Sequence, residues 1–384
     1  MFEFRIEKFC PATRARAGKV ITPHGAVPTP AFAPVGSQGT VKTLTPDELR
    51  ELGTHILLSN AYHLMLRPGV EVIRKMGGLH RFMGWDSPII TDSGGYQVFS
   101  LARLRKVSDE GALFRSHIDG SEHFLSPEKA VSVQEALGAD IAMALDEPPA
   151  YGMGRERVEE ATRRTHLWAG MCLAARREAA LFGIVQGGTF PDLRRESALA
   201  LASLDFSGYA IGGLSLGEPK EITWAMLDIC TESLPQNRPR YLMGMGSPED
   251  LVEGVGRGVD LFDSALPTRV ARNGGLYIST GRVAIEKAEF REREGPLEDG
   301  CPCYTCRHFS AAYLHHLFRA QELLALRLAT LHNLSFFMRL MADMRRAILE
   351  ERFPLFRQEF LARYHPTPEE ARLAQKQRWL RERL

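Results

Sequence analysis

The sequence lacks a large excess of either charge. Its 48 Lys and Arg face 47 Asp and Glu, a formal net charge of +1, which excludes the uniformly basic profile of a nonspecific nucleic-acid coat and leaves any polyanionic partner to a local patch. No run approaches the roughly 20 uninterrupted apolar residues that span a bilayer. The N-terminus mixes Glu3, Arg5, Glu7 and Lys8 among its apolar residues instead of forming a signal peptide. Cysteine is scarce: of six, Cys10, Cys172 and Cys230 are scattered while Cys301, Cys303 and Cys306 crowd together, a spacing poor for disulfides and good for a metal. These absences imply a soluble protein of the reducing cytoplasm, with no membrane partner. Solenoid-period repeats and low-complexity tracts are also missing. At 384 residues and 44% hydrophobic content, the chain can bury at least one large core, and a single barrel with an appendage fits as well as two ordinary domains.

Eight apolar or β-branched runs of strand length occur at 30–35, 55–60, 88–92, 140–146, 181–186, 209–214, 240–244 and 259–263. Helix-length stretches separate most of them. Several open on a cap residue, then Pro, then acids that suit the positive end of a helix, as in Thr45-Pro46-Asp47-Glu48, Ser126-Pro127-Glu128 and Ser247-Pro248-Glu249-Asp250. Continuous apolar character suits parallel strands covered on both faces, so the pattern predicts an α/β chain folded as a (β/α)8 TIM-like barrel. The connection at 99–125, charged and containing the turn Asp119-Gly120, is too long for a plain barrel and reads as a lid or side hairpin. From about Thr280 the alternation stops, and 310–352 reads as one or two long helices rich in Leu, Met and Arg. The expected organisation is a barrel over 1–279, with an N-terminal extension and an insertion near 99–125, followed by a largely helical, zinc-binding subdomain over 280–384 packed on it.

Three of the runs end on carboxylates, Asp92, Asp146 and Asp263. A barrel gathers its strand ends around one mouth, so three acids in matching positions point to an active site rather than to helix caps. Cys301-x-Cys303-x2-Cys306, with His332 after 25 further residues, supplies three thiolates and an imidazole, a closed tetrahedral shell for structural Zn²⁺. His315 and His316 compete as fourth ligand. His332 is preferred because it lies on an apolar helical face with Leu328, Leu331 and Phe336, where an unpaired imidazole would need a partner.

Taken together, Thr91-Asp92-Ser93-Gly94-Gly95-Tyr96-Gln97, Gly183-Ile184-Val185-Gln186-Gly187-Gly188, Ile211-Gly212-Gly213-Leu214, Phe262-Asp263 with Leu266-Pro267-Thr268-Arg269, and the Cys3His cluster resemble the queuine/guanine tRNA-ribosyltransferase (tRNA-guanine transglycosylase) family nearly from end to end. The resemblance implies a zinc-bearing barrel that acts on the anticodon loop of tRNA, exchanging the wobble guanine for a 7-deazaguanine. Keeping the sugar in the chain while an N-glycosidic bond is cut needs a nucleophile on the ribose carbon. By resemblance that nucleophile is Asp263, and Asp92 is the general acid/base; the opposing assignment has Asp92 attack. On the analogy of retaining glycosidases the two would lie about 5–5.5 Å apart. Asp146 would accept from the guanine N1–H and amine, Gln186 and the Gly213 N–H would donate to the six-position oxygen, and Leu214 would offer a backbone contact at the seven position. Tyr96 and Met243 match the residues that sandwich the base, and Ser93 lies in the same pocket. Arg269 and Arg272 would clamp phosphates or the bases flanking the target.

Members differ in the base they accept: bacterial enzymes take preQ1, 7-aminomethyl-7-deazaguanine, and eukaryotic ones the bulkier queuine. Archaeal members carry an extra RNA-binding domain for which a chain ending at Leu384 has no room. Leu216 stands where queuine users resemble one another in having Gly, and Glu218 would answer the positive aminomethyl group directly or through the adjacent peptide, so preQ1 is expected. The chain departs from the bacterial pattern where Pro148 and Pro149 follow Asp146-Glu147, and where Ser264 stands beside Asp263. Proline removes a donor and fixes the local chain, which bears on selectivity among guanine, preQ1 and preQ0. The resemblance also implies a homodimer. The rival readings are a barrel N-glycosidase that releases a purine base by hydrolysis and a noncatalytic tRNA-binding subunit; the presence of both Asp92 and Asp263 speaks against the latter.

Overall fold

The computed structural model describes residues 2–101, 105–371 and 374. Three antiparallel strands open the chain: β1 (Glu3–Phe9), β2 (Arg16–Thr22) and β3 (Gly25–Thr29). They plug the N-terminal end of the barrel that follows, because Val20 and Val27 join the cluster formed by Ala33, Ile90, Met143, Ile184 and Leu261 inside it. The plug is pinned by Arg16, whose buried guanidinium forks onto Asp260 at 2.9 and 2.6 Å. Removing one partner of such a pair costs about 3–5 kcal/mol.

The chain continues through β4 (Ala31–Gly36), β5 (Leu57–Ser59) and β6 (Ile89–Thr91), detours through β7 (Arg105–Ser108), β8 (Gly111–Arg115) and β9 (Glu122–Leu125), and resumes with β10 (Ile141–Met143), β11 (Ala180–Val185), β12 (Gly208–Ile211), β13 (Arg240–Leu242) and β14 (Leu261–Ser264). Apart from β7–β9 these strands close a parallel barrel in chain order, and β14 returns to pair with β4, setting Asp263 opposite Ala33. Each of the eight apolar runs overlaps one barrel strand, and no strand reaches more than one residue beyond its run. Most of the strands are shorter than their runs, only three residues in β5, β6, β10 and β13, because the last residues of several runs leave the ladder and gather at the barrel mouth.

Local chemistry follows the expected caps with one exception. Thr45 forms a capping box with Glu48, accepting from its N–H at 3.3 Å while the Glu48 carboxylate accepts from the Thr45 N–H at 2.8 Å, and Ser126 Oγ accepts from the Lys129 N–H at 3.2 Å. Such caps are worth about 1 kcal/mol each. Ser247 precedes its helix as expected but turns its hydroxyl to Asp250 Oδ2 at 2.5 Å instead of capping. The 99–125 connection, read as a lid or side hairpin, holds a three-stranded antiparallel sheet, β7–β9; residues 102–104 of it lie outside the described residues.

After β14 come the helix Leu266–Arg272 and a hairpin of β15 (Gly275–Ile278) and β16 (Gly281–Ala284), which straddles the boundary expected between 279 and 280. The region 310–352 contains two helices, Ala311–Arg319 and Leu323–Leu349, and a further helix runs Phe353–Arg363. The helix Leu323–Leu349 packs on Leu266–Arg272 and on β4, covering the seam where the barrel closes. None of the described helices is long and apolar enough to cross a membrane.

Candidate active site

Asp92 follows β6, Gln186 follows β11, Met243 follows β13 and Asp263 is the next-to-last residue of β14; Gly213 and Asp146 come two and three residues beyond β12 and β10. Parallel pairing brings all of them to the C-terminal mouth of the barrel. Asp140 and Asp260, which precede their strands, fall at the opposite end.

Asp92 is buried, and its Oδ1 accepts from the Ala61 N–H at 2.9 Å while Asn60 Nδ2 donates to Oδ2. Burial pushes its carboxyl up; the Ala61 amide pulls it back, the charge of Asp263 adds to the rise, and the result is about 7. Asp263 is equally buried. The Tyr241 hydroxyl at 2.6 Å and the Gly244 N–H at 2.8 Å both donate to its Oδ1. Burial raises this carboxyl too, and the two donors offset part of the rise. The Tyr241 phenol is driven well above its ordinary value by burial and the adjacent charge, so it stays a donor. The pair is thus set in different surroundings: Asp263 has two donors on one oxygen, whereas the rise of Asp92 to about 7 includes the charge of Asp263.

Asp146 is joined to the same mouth from the other side. Gln186 Nε2 donates to its Oδ2 at 2.7 Å and Ser93 Oγ to its Oδ1 at 3.4 Å. Burial raises its carboxyl to about 6 despite those donors. Gln186 Oε1 is buried without a hydrogen-bond partner, an acceptor left for a ligand donor. The glycines here are forced by crowding: a Cβ on Gly95 would stand 2.7 Å from the Asp146 carbonyl oxygen, and one on Gly213, already at φ +68°, 2.3 Å from Gln186 Oε1. Tyr96, in the first turn of the helix Gly95–Leu101, is 42% exposed, and Met243 is half-buried.

Beyond the strand ends, Glu218 is buried, and its carboxylate accepts from the N–H groups of Ser215 and Leu216 and from Thr223 Oγ1 at 2.7 Å. It therefore shapes the 215–216 loop. Ser264 accepts from the Leu266 N–H at 3.2 Å, helping to start the helix that carries exposed Arg269 and half-buried Arg272. Next to Asp146, buried Glu147 receives Arg164 and Arg157, and Arg164 also reaches Asp109 in the β7–β8 turn at 3.1 Å. The Trp168 indole donates to the Asp109 carbonyl at 2.8 Å. The three-stranded insertion is thereby stapled to the loop that carries Asp146.

The Cys3His set is assembled as expected. His332 Nδ1 stands 3.5 Å from the sulfurs of Cys303 and Cys306 and 4.0 Å from that of Cys301, and all four ligand atoms lie within 4.8 Å of one another. A tetrahedral Zn²⁺ at about 2.3 Å from sulfur and about 2.0 Å from nitrogen places those atoms about 3.6 Å apart. His332 Nε2 donates to the Tyr277 carbonyl at 2.7 Å, which leaves Nδ1 as the ligand atom. His315 is committed to the Ile285 carbonyl at 2.8 Å and His316 is exposed, so neither completes the shell.

A second group, His24, His80 and Asp140, sits at the plugged end. Its two imidazoles stack at 3.6 Å with planes 15° apart, and each meets a different Asp140 oxygen, at 2.7 and 3.1 Å. Nearly parallel rings cannot aim their nitrogens at one shared ion. This is a hydrogen-bonded clamp between the plug and the barrel.

A closed (β/α)8 barrel that gathers three buried carboxyls, Asp92, Asp146 and Asp263, at one mouth has the architecture of a barrel enzyme. The family model for queuine tRNA-ribosyltransferase matches residues 10–366. Similar proteins of that name include those of Dehalococcoides mccartyi, 56% identical over 98% of this chain and 97% of the relative, Pelotomaculum thermopropionicum, 58% identical over 92% and 96%, and Moorella thermoacetica, 54% identical over 94% and 98%. The chain belongs to the queuine tRNA-ribosyltransferase family, and so is a pentosyltransferase of the tRNA-guanine transglycosylase type.

Sequence reasoning did not find Asn60, Tyr241, Glu147 or Arg194 as parts of the site. Asn60 ends the 55–60 run, so the strand-end rule applied to acids would have found it had it been extended to all polar residues, whereas Tyr241 lies inside the 240–244 run, where that rule does not reach. Arg194, on the buried face of the helix Pro191–Ala202 with Leu193, Ser197, Ala198 and Leu201, was signalled only by a charge inside an apolar stripe.

Proposed function

We propose that this enzyme replaces guanine at the wobble position of tRNAs with GUN anticodons by preQ1, through double displacement, in queuosine biosynthesis. Asp263 attacks the ribose carbon as guanine leaves, and Asp92 protonates the departing base and later takes a proton from the incoming one. The supporting observation is the inequality of the pair. Asp263 Oδ1 takes a phenol and an amide donor that favour its charged form, whereas Asp92 is raised by burial and by the charge of Asp263 to about 7, surroundings suited to a nucleophile and a general acid.

Asp146, ionised above about 6, reads the N1–H and amine edge of guanine. Gln186, with a second N–H beyond the one given to Asp146, serves the six-position oxygen together with the Gly213 N–H. Leu214 and Ser93 complete the pocket, and Tyr96 and Met243 flank the base plane. Glu218 answers the aminomethyl group through the 215–216 peptides that it holds. Arg269 and Arg272 take the RNA backbone beside the target; burial, and then the charge of Arg269, lower the Arg272 value, and an anion between them relieves that repulsion. The guanine must leave its stack to reach this mouth, which costs least in an anticodon loop. Cys301, Cys303, Cys306 and His332 would hold one structural Zn²⁺ per subunit. The exposed apolar residues Tyr304, Tyr313, Leu323 and Leu324 beside that shell favour a homodimer through this face, and the enzyme works in the cytoplasm.

The test is trapping. With tRNA and labelled guanine, the wild type is expected to yield a denaturant-resistant protein–RNA adduct and intact labelled tRNA, and Asp263→Ala neither. Adduct surviving in Asp263→Ala, or accumulation of abasic tRNA in place of exchange, would defeat the proposal, and competition among preQ1, preQ0 and queuine for the label decides the base.

A further inference from the structure

The helix Pro191–Ala202 turns Arg194 inward, where it is 0% exposed and forms no ion pair with a carboxylate among the described residues. Its guanidinium is surrounded by backbone carbonyls instead. Nε donates to Gly188 at 2.7 Å, Nη1 to Val185 at 3.1 Å and to Gly212 at 2.7 Å, and Nη2 to Gly213 at 3.2 Å; the Cys230 thiol is a further side-chain partner. An unpaired buried cation is costly. Joining the ends of β11 and β12 by packing alone would need only an apolar side chain of similar length.

The choice of carbonyls explains the charge. The Gly212 carbonyl belongs to the same peptide unit as the Gly213 N–H, and the Gly213 carbonyl to the same unit as the Leu214 N–H. Neither N–H donates to a backbone or side-chain acceptor among the described residues. A cation bound to a carbonyl fixes its peptide plane and polarises it, which strengthens the donor at the other end.

We propose that Arg194 is a positioning residue of the base pocket: it locks these two peptides in place and polarises the first, so that the Gly213 N–H acts as a strengthened donor to the six-position oxygen of the purine. It acts most when the base gathers negative charge at its six-position oxygen as the glycosidic bond breaks. The inference rests on the base-pocket reading above and adds a residue and an electrostatic role to it.

The test compares guanine with 6-thioguanine, which keeps the N1–H and the amine but offers a weaker sulfur acceptor at the six position, as bases exchanged into tRNA. Arg194→Lys keeps the charge but gathers its donors on one nitrogen, which cannot span four carbonyls. Its kcat with guanine is expected to fall about tenfold or more while the KM for tRNA stays within about twofold, and the preference for guanine over 6-thioguanine should shrink by a similar factor. Equal losses for the two bases, or no loss, would overturn the role of Arg194. A wild type that shows no preference for guanine would overturn the base-pocket reading itself and this inference with it. If Arg194→Lys does not accumulate as folded protein, Cys230→Asp is read the same way, because it leaves the four carbonyl hydrogen bonds available and neutralises the guanidinium in place.

Discussion

Two carboxyls of the same chemical type are set apart here by what surrounds them. Asp263 has a phenol and an amide on one oxygen, whereas Asp92 is pushed upward by burial and again by the charge of Asp263. On the proposed roles, adduct formation requires Asp92 protonated and Asp146 ionised. Asp92 loses its proton through about 7 and Asp146 gains one below about 6, so the single-turnover rate of adduct formation should peak in the narrow interval between them. It should fall on the acid side as Asp146 ceases to accept two N–H groups, and on the alkaline side as the departing base loses its proton donor. A rate that climbs steadily past pH 8 would remove Asp92 from the acid's role. Asp92, Asp146 and Asp263 were legible as candidates because each ends an apolar run. The residues that tune them were not: Asn60 acts on a partner 32 positions away and Tyr241 on one 22 away, and no local pattern encodes a contact that only closure of the barrel creates.

At the level of elements, the plug and the barrel are joined by side chains that precede strands, where the sequence pattern directed no attention. Asp140 stands just before β10 and holds His24 from the β2–β3 turn, His80 from the helix Gly78–Met83, and the Ile89 N–H at 2.9 Å. Burial works against its charge, but hydrogen bonds from His80, His24 and Ile89 outweigh it and hold the carboxyl below the ordinary range. A carboxyl lowered on folding contributes stability that is present above its unfolded value and lost as pH falls through the folded one. Asp140→Asn should therefore cost about 1–3 kcal/mol near neutrality. Its thermal melts should also lose less than those of the wild type as pH is lowered from 7 towards 3, and superimposable pH dependences would show that the clamp carries no linked charge. The eight strands were visible as apolar runs because parallel strands are covered on both faces. The third strand of the β7–β9 insertion was not, since alternating strands on a small exposed sheet read as charged loop, and the β1–β3 plug entered the sequence reading only as an N-terminal extension.

For the molecule as a whole, the Cys3His shell was legible from spacing, but not its connection to the barrel. His332 and Asn333 are neighbours on the helix Leu323–Leu349. His332 faces the three thiolates, while Asn333 donates to the Pro267 and Gly275 carbonyls, both at 3.0 Å, and accepts from the Tyr277 N–H at 3.0 Å. The Tyr277 carbonyl in turn receives His332 Nε2. Two adjacent residues thus tie the shell to the segment that follows β14, the segment that carries Arg269 and Arg272. Cys303→Ser removes a thiolate that also accepts the Cys306 N–H at 3.3 Å, so the shell loses a ligand and a turn contact together. The variant should release its metal and melt lower, since the free energy of structural metal binding is largely folding free energy. Because the disturbance reaches the helix Leu266–Arg272 before it reaches Asp146 or Gln186 on the far side of the mouth, the KM for tRNA should rise several-fold more than the KM for guanine. Metal analysis, melting and the two KM values check this on one preparation. Unchanged metal content would take Cys303 out of the shell, and a rise confined to the KM for guanine would show that the shell supports the base pocket rather than the helix proposed to meet the RNA.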